Sequence, residues 1–212
     1  VWSGIRDIFF LDQSFGSDPA RNIAICKMIL RHFPDLRWLC FSRVDLVDQA
    51  TLTLMKKAGC HTIIFGVESA NATILERYRK GYSPVDVDRV LRMAKNAGIR
   101  TVATFLLGLP GETWSTAIET IEFAAKLPCT YVSLNVAVPR MGTEMRKLAL
   151  EHGYVDPEIW HFDQSGTEVV LNTETLTGEQ LIALKRIAVK RLYLQPRRIA
   201  NVLSSIRTFD EL

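Results

Sequence analysis

Apolar residues recur along this chain in two alternating rhythms. Short, nearly continuous runs of strand length, at residues 5–11, 36–42, 62–67, 101–107 and 131–138, are separated by stretches whose apolar positions repeat every three to four residues. The first such stretch starts near Pro19 and puts Ile23, Cys26, Leu30 and Phe33 on one side. Asp48 is placed to cap the second, which turns Leu52 and Met55 inward and stops at Gly59. Asn71 opens a short helix through Tyr78. Ser83 and Pro84 then form the cap and first position of a helix with Val87, Val90, Leu91 and Ala94 inside and Gly98 at its end. From Trp114 the stripe is Ala117, Ile118, Ile121, Ala124 and Ala125. Mostly apolar strands joined by helices predict an α/β fold whose parallel sheet is covered on both faces.

The loop after the first strand reads Asp12-Gln13-Ser14-Phe15, not the G-x-G-x-x-G of an open dinucleotide-binding sheet, so a barrel or partial barrel fits better. Beyond about residue 150 the pattern changes. Asp156-Pro157 and the capping box Thr177-x-x-Gln180 start helices, the second carrying Leu181, Leu184, Ile187, Ala188 and Leu192. Residues 1–150 are therefore read as the barrel core and 151–212 as a helical C-terminal extension.

With 212 residues, 48% of them hydrophobic, the chain can bury one substantial core. No apolar run reaches the roughly 18 residues of a membrane span, and the first 12 residues lack the features of a signal peptide, so a cytoplasmic protein is expected. Val1 is not Met and a strand starts almost at once, which predicts that the chain lies inside a longer polypeptide. The net charge is only +3, but seven Lys and Arg face three acids from Gly178 onward. That tail reads as a solvated helix face rather than a nucleic-acid surface, because aromatic residues are sparse in it. Cys26, Cys40, Cys60 and Cys129 show no metal-ligand spacing, and His32, His61, His152 and His161 form no i, i+4 pair. The cysteines are expected to be reduced core residues.

Ligands of parallel α/β folds collect at the carboxyl ends of the strands. Those ends carry Asp12 and Gln13, then Arg43, then Glu68 and Ser69, then the run from Gly108 to Glu112, and finally Pro139 and Arg140. Carboxylates, guanidinium groups and a glycine-rich turn together suit a zwitterionic ligand such as an amino-acid moiety. Competing structural roles are definite. Asp12 can satisfy a loop amide, Arg43 can pair with Asp45, Glu68 can cap the helix near Asn71, and Glu112 can serve the dipole of the helix it precedes.

GVES at residues 66–69, KNAGI at 95–99 and LLGLPGET at 106–113, in that order, resemble the radical S-adenosylmethionine superfamily. DQSF at 12–15, SRVDLV at 42–47 and VPRMGTEM at 138–145 resemble the subgroup that often has an upstream cobalamin-binding domain. The resemblance implies a partial (β/α) barrel of parallel strands, TIM-barrel-like, in which Asp12 and Gln13 meet the methionine amino group and Arg43 its carboxylate. It implies that Glu68, with Ser69 beside it, contacts the methionine or ribose region, that Leu106 and Gly108 pack beside adenine, and that the backbone near Pro139 faces the base. It further implies a 4Fe–4S cluster that cleaves S-adenosylmethionine to start radical chemistry on a small-molecule substrate. The family's CxxxCxxC loop is absent from the chain, and Arg140-Met141 stands where an aromatic-Pro pair is common. The expected protein is thus a fragment of such an enzyme, inactive alone, with its cluster loop on an upstream segment and cobalamin as a further candidate cofactor. Two alternatives remain: a degenerate barrel that binds a nucleotide or a partner without radical catalysis, and an ordinary barrel enzyme using Glu68 or Glu112 as general base.

Overall fold

The computed structural model describes residues 4–159 and 172–194. Five strands form one parallel sheet in the order β1-β2-β3-β4-β5. They are β1 (Asp7–Phe10), β2 (Arg37–Ser42), β3 (Cys60–Glu68), β4 (Arg100–Leu107) and β5 (Tyr131–Val136). The helices are α1 (Pro19–His32), α2 (Gln49–Lys57), α3 (Ala72–Arg77), α4 (Pro84–Asn96), α5 (Trp114–Lys126), α6 (Glu144–Glu151) and α7 (Gly178–Tyr193). Each strand neighbours the next in sequence and the order never reverses, so the sheet lacks the switch point of a doubly wound fold and has the winding of a barrel wall.

That winding corrects the expectation of strands buried on both faces. In β2, β4 and β5 fully buried residues alternate with half-buried ones: Trp38, Cys40 and Ser42 against Leu39 and Phe41, or Thr101, Ala103, Phe105 and Leu107 against Val102, Thr104 and Leu106. Right-handed crossovers that always step the same way put the helices on one face, and only that face is sealed.

The chain divides into two compact units, the first made of Val1–Val67, Lys80–Thr104 and Leu127–Ser133, the second of Glu68–Arg79, Phe105–Lys126 and Leu134–Leu212. In the first unit Trp38 is the centre of the core. It is completely buried, Phe10 meets it edge-on at 5.2 Å, Phe15 lies 4.9 Å away, and its indole N–H donates to the Ala58 carbonyl at 2.7 Å. Helix α4 buries Val87, Val90, Leu91 and Ala94 as its spacing predicts, and Ser83 and Asp86 form a reciprocal capping box. In α1 the buried face is Asn22, Cys26 and Ile29, while Ile23 and Leu30 are exposed. The Asp18 carboxylate accepts the Arg21 N–H and fixes the helix start, so the inward stripe falls one residue before the most hydrophobic one.

In the second unit α5 buries Ala117, Thr120, Ile121 and Ala124 and packs on α7, where Arg191 grips the Glu122 carboxylate through two bonds of 2.8 and 2.9 Å. Helix α7 carries the expected Thr177–Gln180 capping box and buries Leu181, Leu184, Ala188 and Leu192, with Ile187 outward. Helix α6, started by the Thr143 side chain on the Arg146 N–H, has no counterpart in the sequence reading. After Asp156 the chain makes a turn as far as Ile159; the rest of the helix expected there, His161, and Arg197, Arg198 and Arg207 of the basic tail lie outside the described residues.

Replacing Trp38 by Phe leaves the buried Ala58 carbonyl without its donor and opens a gap between Phe10 and Phe15. The expected loss is about 2–4 kcal/mol in urea denaturation, whereas the half-exposed Met28→Ala should stay within about 0.5 kcal/mol of the parent.

Candidate functional site

The first unit brings three of the sequence-nominated residues to the ends of β1 and β2. Asp12 follows β1 and its carboxylate is paired with Arg21 of α1. Gln13 is exposed beside it. Arg43 follows β2 and is committed inside its own unit: Nε and Nη2 hold both oxygens of Asp45 at 2.9 and 2.8 Å, and Nη2 also donates to the Lys80 carbonyl at 2.6 Å. The pairing holds the Asp45 carboxyl below its ordinary range and Arg43 above its own. Tyr82, whose ring lies 6.0 Å from the guanidinium, donates its hydroxyl to the Gly66 carbonyl near the end of β3 at 2.7 Å. Arg43 thus ties the loop after β2 to the loop before α4, the structural role its spacing from Asp45 already allowed.

The second unit carries the remaining candidates. Glu68, the last residue of β3, has φ +66, the left-handed region that a non-glycine residue enters only at a cost of order 1–3 kcal/mol. Ser69 is fully buried. Its hydroxyl lies 3.2 Å from that of Thr120 and accepts the Asn71 N–H at 3.1 Å, while Thr120 accepts the Ala70 N–H at 3.1 Å. Asn71 caps α3 through Ile74 N–H and donates to Glu119 at 3.0 Å, so the capping is its own and not Glu68's. Thr120 was missed by sequence reasoning. Its signal was a hydroxyl in the middle of the apolar stripe of α5.

Leu106, half-buried near the end of β4, packs against the buried cluster of Ile74, Leu109 and Ala137, as do Tyr78 and Met145. Pro139 is buried beyond β5, and Arg140 is exposed. Gly108 and Gly111 are both in the left-handed region, at φ +79 and +87, and the close approach each permits is to protein. A Cβ on Gly108 would lie 3.0 Å from the Leu181 side chain of α7, and one on Gly111 would meet the guanidinium end of Arg77, which pairs with Glu174 at 3.6 Å. Their positive φ calls for glycine, and the space a side chain would enter holds protein groups, a physical reason different from the ligand approach that glycine-rich turns suggest.

Glu112 closes this turn. It is fully buried, and its Oε2 accepts the Gly108 N–H at 2.6 Å. Thr113, not Glu112, accepts the Thr116 N–H at the start of α5. Burial pushes the Glu112 carboxyl up to about 7, partly offset by the backbone amides of Gly108 and Leu109. So placed, it has no path to a substrate as a general base.

The residues present do not fit an iron–sulfur cluster. The chain has no CxxxCxxC loop, and the described residues contain no group of three or more His, Cys, Asp or Glu able to hold a metal. All four cysteines are buried. Burial pushes the Cys26 thiol up to about 11, and a hydrogen bond with Cys60 together with burial pushes Cys40 further, whereas cluster ligands must be thiolates.

The radical SAM superfamily model matches residues 3–124. An uncharacterized methyltransferase of Pyrococcus horikoshii, PH0819, is 33% identical over 194 residues, which is 92% of this chain and 42% of that protein. The bacteriochlorophyllide d C-8(2)-methyltransferase of Chlorobaculum tepidum is 24% identical over 81% of this chain and 41% of its own. The chain therefore spans about two fifths of the length of these two relatives. Among solved structures, the cobalamin-dependent S-adenosylmethionine radical enzyme OxsB, with aqua-cobalamin and S-adenosylmethionine bound, superposes with TM-score 0.68 at 16% identity over 94% of this chain and 37% of that one. The methyltransferase TsrM of Kitasatospora setae, with cobalamin and a 4Fe–4S cluster, gives 0.63 at 23% over 85% and 35%. At these identities the structures speak for the fold. A winding without reversal, polar groups and tight turns at successive strand ends, and a family match over more than half of its residues make this chain a member of the radical SAM superfamily.

Proposed function

We propose that this chain is the S-adenosylmethionine-binding barrel portion, core 1–150 and extension 151–212, of a radical SAM methyltransferase. The observation that carries the reading is the 33% identity to PH0819 along 92% of the chain. Enzymes of this superfamily use S-adenosylmethionine with a 4Fe–4S cluster that supplies the electron for its cleavage. This chain has no loop for the cluster, so in this reading the cluster's cysteines are supplied from outside these 212 residues, cobalamin is a further candidate cofactor, and the chain's own task is to bind and orient S-adenosylmethionine beside a small-molecule substrate.

In this reading the Asp12 carboxylate and the Gln13 side chain meet the methionine amino group, and Arg43 reaches its carboxylate by exchanging part of its hold on Asp45. Glu68 accepts from the methionine or ribose end, and the backbone strain at this residue supports a role beyond stability. Ser69 acts through the backbone, fastening the turn that carries Glu68 to Thr120. Leu106 and Gly108 form a wall for adenine, with backbone groups near Pro139 facing the base. The absence of CxxxCxxC favours a second reading, a barrel that binds a nucleotide or partner without radical catalysis.

Three measurements separate these readings. The full-length polypeptide, reconstituted anaerobically with iron and sulfide, should show iron–sulfur absorbance and reductively cleave S-adenosylmethionine; a full-length sequence without three clustered cysteines, or a reconstituted protein that yields neither 5′-deoxyadenosine nor S-adenosylhomocysteine, would sink the first reading. The 212-residue chain alone should bind S-adenosylmethionine weakly or not at all, because the iron that chelates its amino and carboxylate groups is missing; submicromolar binding in a calorimeter contradicts this. In the full-length protein Glu68→Asn, which tolerates the left-handed backbone, should weaken S-adenosylmethionine binding at least about tenfold while lowering the melting temperature by only a few degrees.

A further inference from the structure

The proposed S-adenosylmethionine contacts make no use of the buried carboxyl of Glu112 in the second unit. Glu112 has no exposed surface; Oε2 takes the Gly108 N–H, and Oε1 is buried without a hydrogen-bond partner. The turn it spans is closed by three other bonds, from Glu112 N–H to the Leu109 carbonyl at 2.8 Å, from the Tyr78 hydroxyl to the Pro110 carbonyl at 3.2 Å, and from the Thr175 hydroxyl to the Glu112 carbonyl. Gly108 directly follows the last residue of β4, and the Leu107 carbonyl there accepts the Ala137 N–H at 2.7 Å. A displacement of Gly108 therefore moves the end of β4. Accepting one N–H needs no acid, since a neutral amide does it equally well. A carboxyl adds a second oxygen that, once charged, is buried with no donor.

We propose that Glu112 is a positioning residue that works as a protonation latch: un-ionised, it holds Gly108 and the end of β4 in place, and its ionisation lets residues 105–112 open to water. The latch rests on the proposed adenine wall only for its effect on ligand binding. The titratable and charged groups around the turn are Arg77 at the end of α3, Tyr78 directly after it and Glu174 on the segment before α7, and α7 itself contributes the apolar Leu181. Desolvation, not any of these charges, sets the state of the carboxyl, raising it from 4.5 to about 7. The sign follows. The closed form binds the proton more tightly than the open form, so closure is firmest below the ordinary carboxyl range. It weakens about tenfold per pH unit up to about pH 7 and changes no further above it.

Backbone amide exchange of the 212-residue chain, followed by mass spectrometry from pH 5 to 8.5 and corrected for the intrinsic rate, reads the latch directly. Protection of residues 106–112 in the native chain should fall about tenfold per pH unit until about pH 7 and then level off. Glu112→Gln, which keeps an acceptor for Gly108 and cannot ionise, should hold the same segment at every pH, and Glu112→Ala should leave it open at every pH with α1, α2 and α4 still protected. A Glu112→Gln chain that loses protection as the native chain does, or a native chain whose protection is flat, overturns the latch; this comparison decides even where the alanine variant fails to fold. Equilibrium dialysis of S-adenosylmethionine with the full-length protein tests the wall separately. Native affinity that falls over the same interval, with Glu112→Gln flat, supports both, whereas a latch seen in exchange with pH-independent affinity leaves the latch standing and overturns the adenine-wall reading.

Discussion

All five strands run parallel and each lies beside its neighbour in sequence, and most of what this chain does follows from that one constraint. A parallel neighbour can be reached only by a crossover, and crossovers of one hand that never reverse direction keep their helices on one face. That face is sealed by Trp38, Cys40, Ala103, Phe105, Leu107 and the inward stripes of the helices. The opposite face keeps Leu39, Phe41, Val102, Thr104 and Leu106 only half-buried, which is the condition for lining a space. The loops that follow the strands must then carry whatever specificity the fold has.

Those loops are held by polar side chains that spend most of their bonding on the protein itself. Arg43 is occupied by Asp45 and the Lys80 carbonyl, Ser69 and Thr120 fasten the turn after β3, and Glu112 spans the turn after β4. A carboxylate, amide or hydroxyl that is already oriented loses less freedom when a ligand arrives, which is the advantage of fixing loops this way. At the two glycines the positive φ shapes the turn, and the missing Cβ atoms leave room for Leu181 and Arg77 against it.

Much of the frame was legible because it is written in local chemistry. Asp48, Asn71, Ser83 and Thr177 each cap the helix that their spacing announces, and the buried face of α4 is the one its heptad-like stripe gives. Features that depend on distant partners were not legible. The face of α1 follows the register set by Asp18 rather than the most hydrophobic stripe, so a buried Asn22 displaces Ile23. Sealing on one face only is a property of strand order, which no single strand's sequence contains. The commitment of Ser69 depends on Thr120, 51 residues away in the chain, and the use of Gly111 depends on Arg77 and Glu174, which no spacing rule links. At the strand ends the sequence therefore names polar candidates while leaving open which polar group faces outward and which holds the loop together.

The two clamps described here respond to pH with opposite sign. Asp45 is held below its ordinary range by Arg43, so its contribution is complete above the unfolded carboxyl value and is lost only as pH falls through the lowered one. Glu112 is raised, so its contribution is complete below 4.5, declines from there to about 7, and is spent above that. Near neutrality the Arg43 clamp is therefore at full strength and the Glu112 turn is at its weakest. Loops that must admit a ligand come from the low-stability end of a structure. By that criterion the run from Gly108 to Glu112, poorly satisfied at its own carboxyl, is the yielding turn of its unit, and the loop after β2 is a fixed loop of the other.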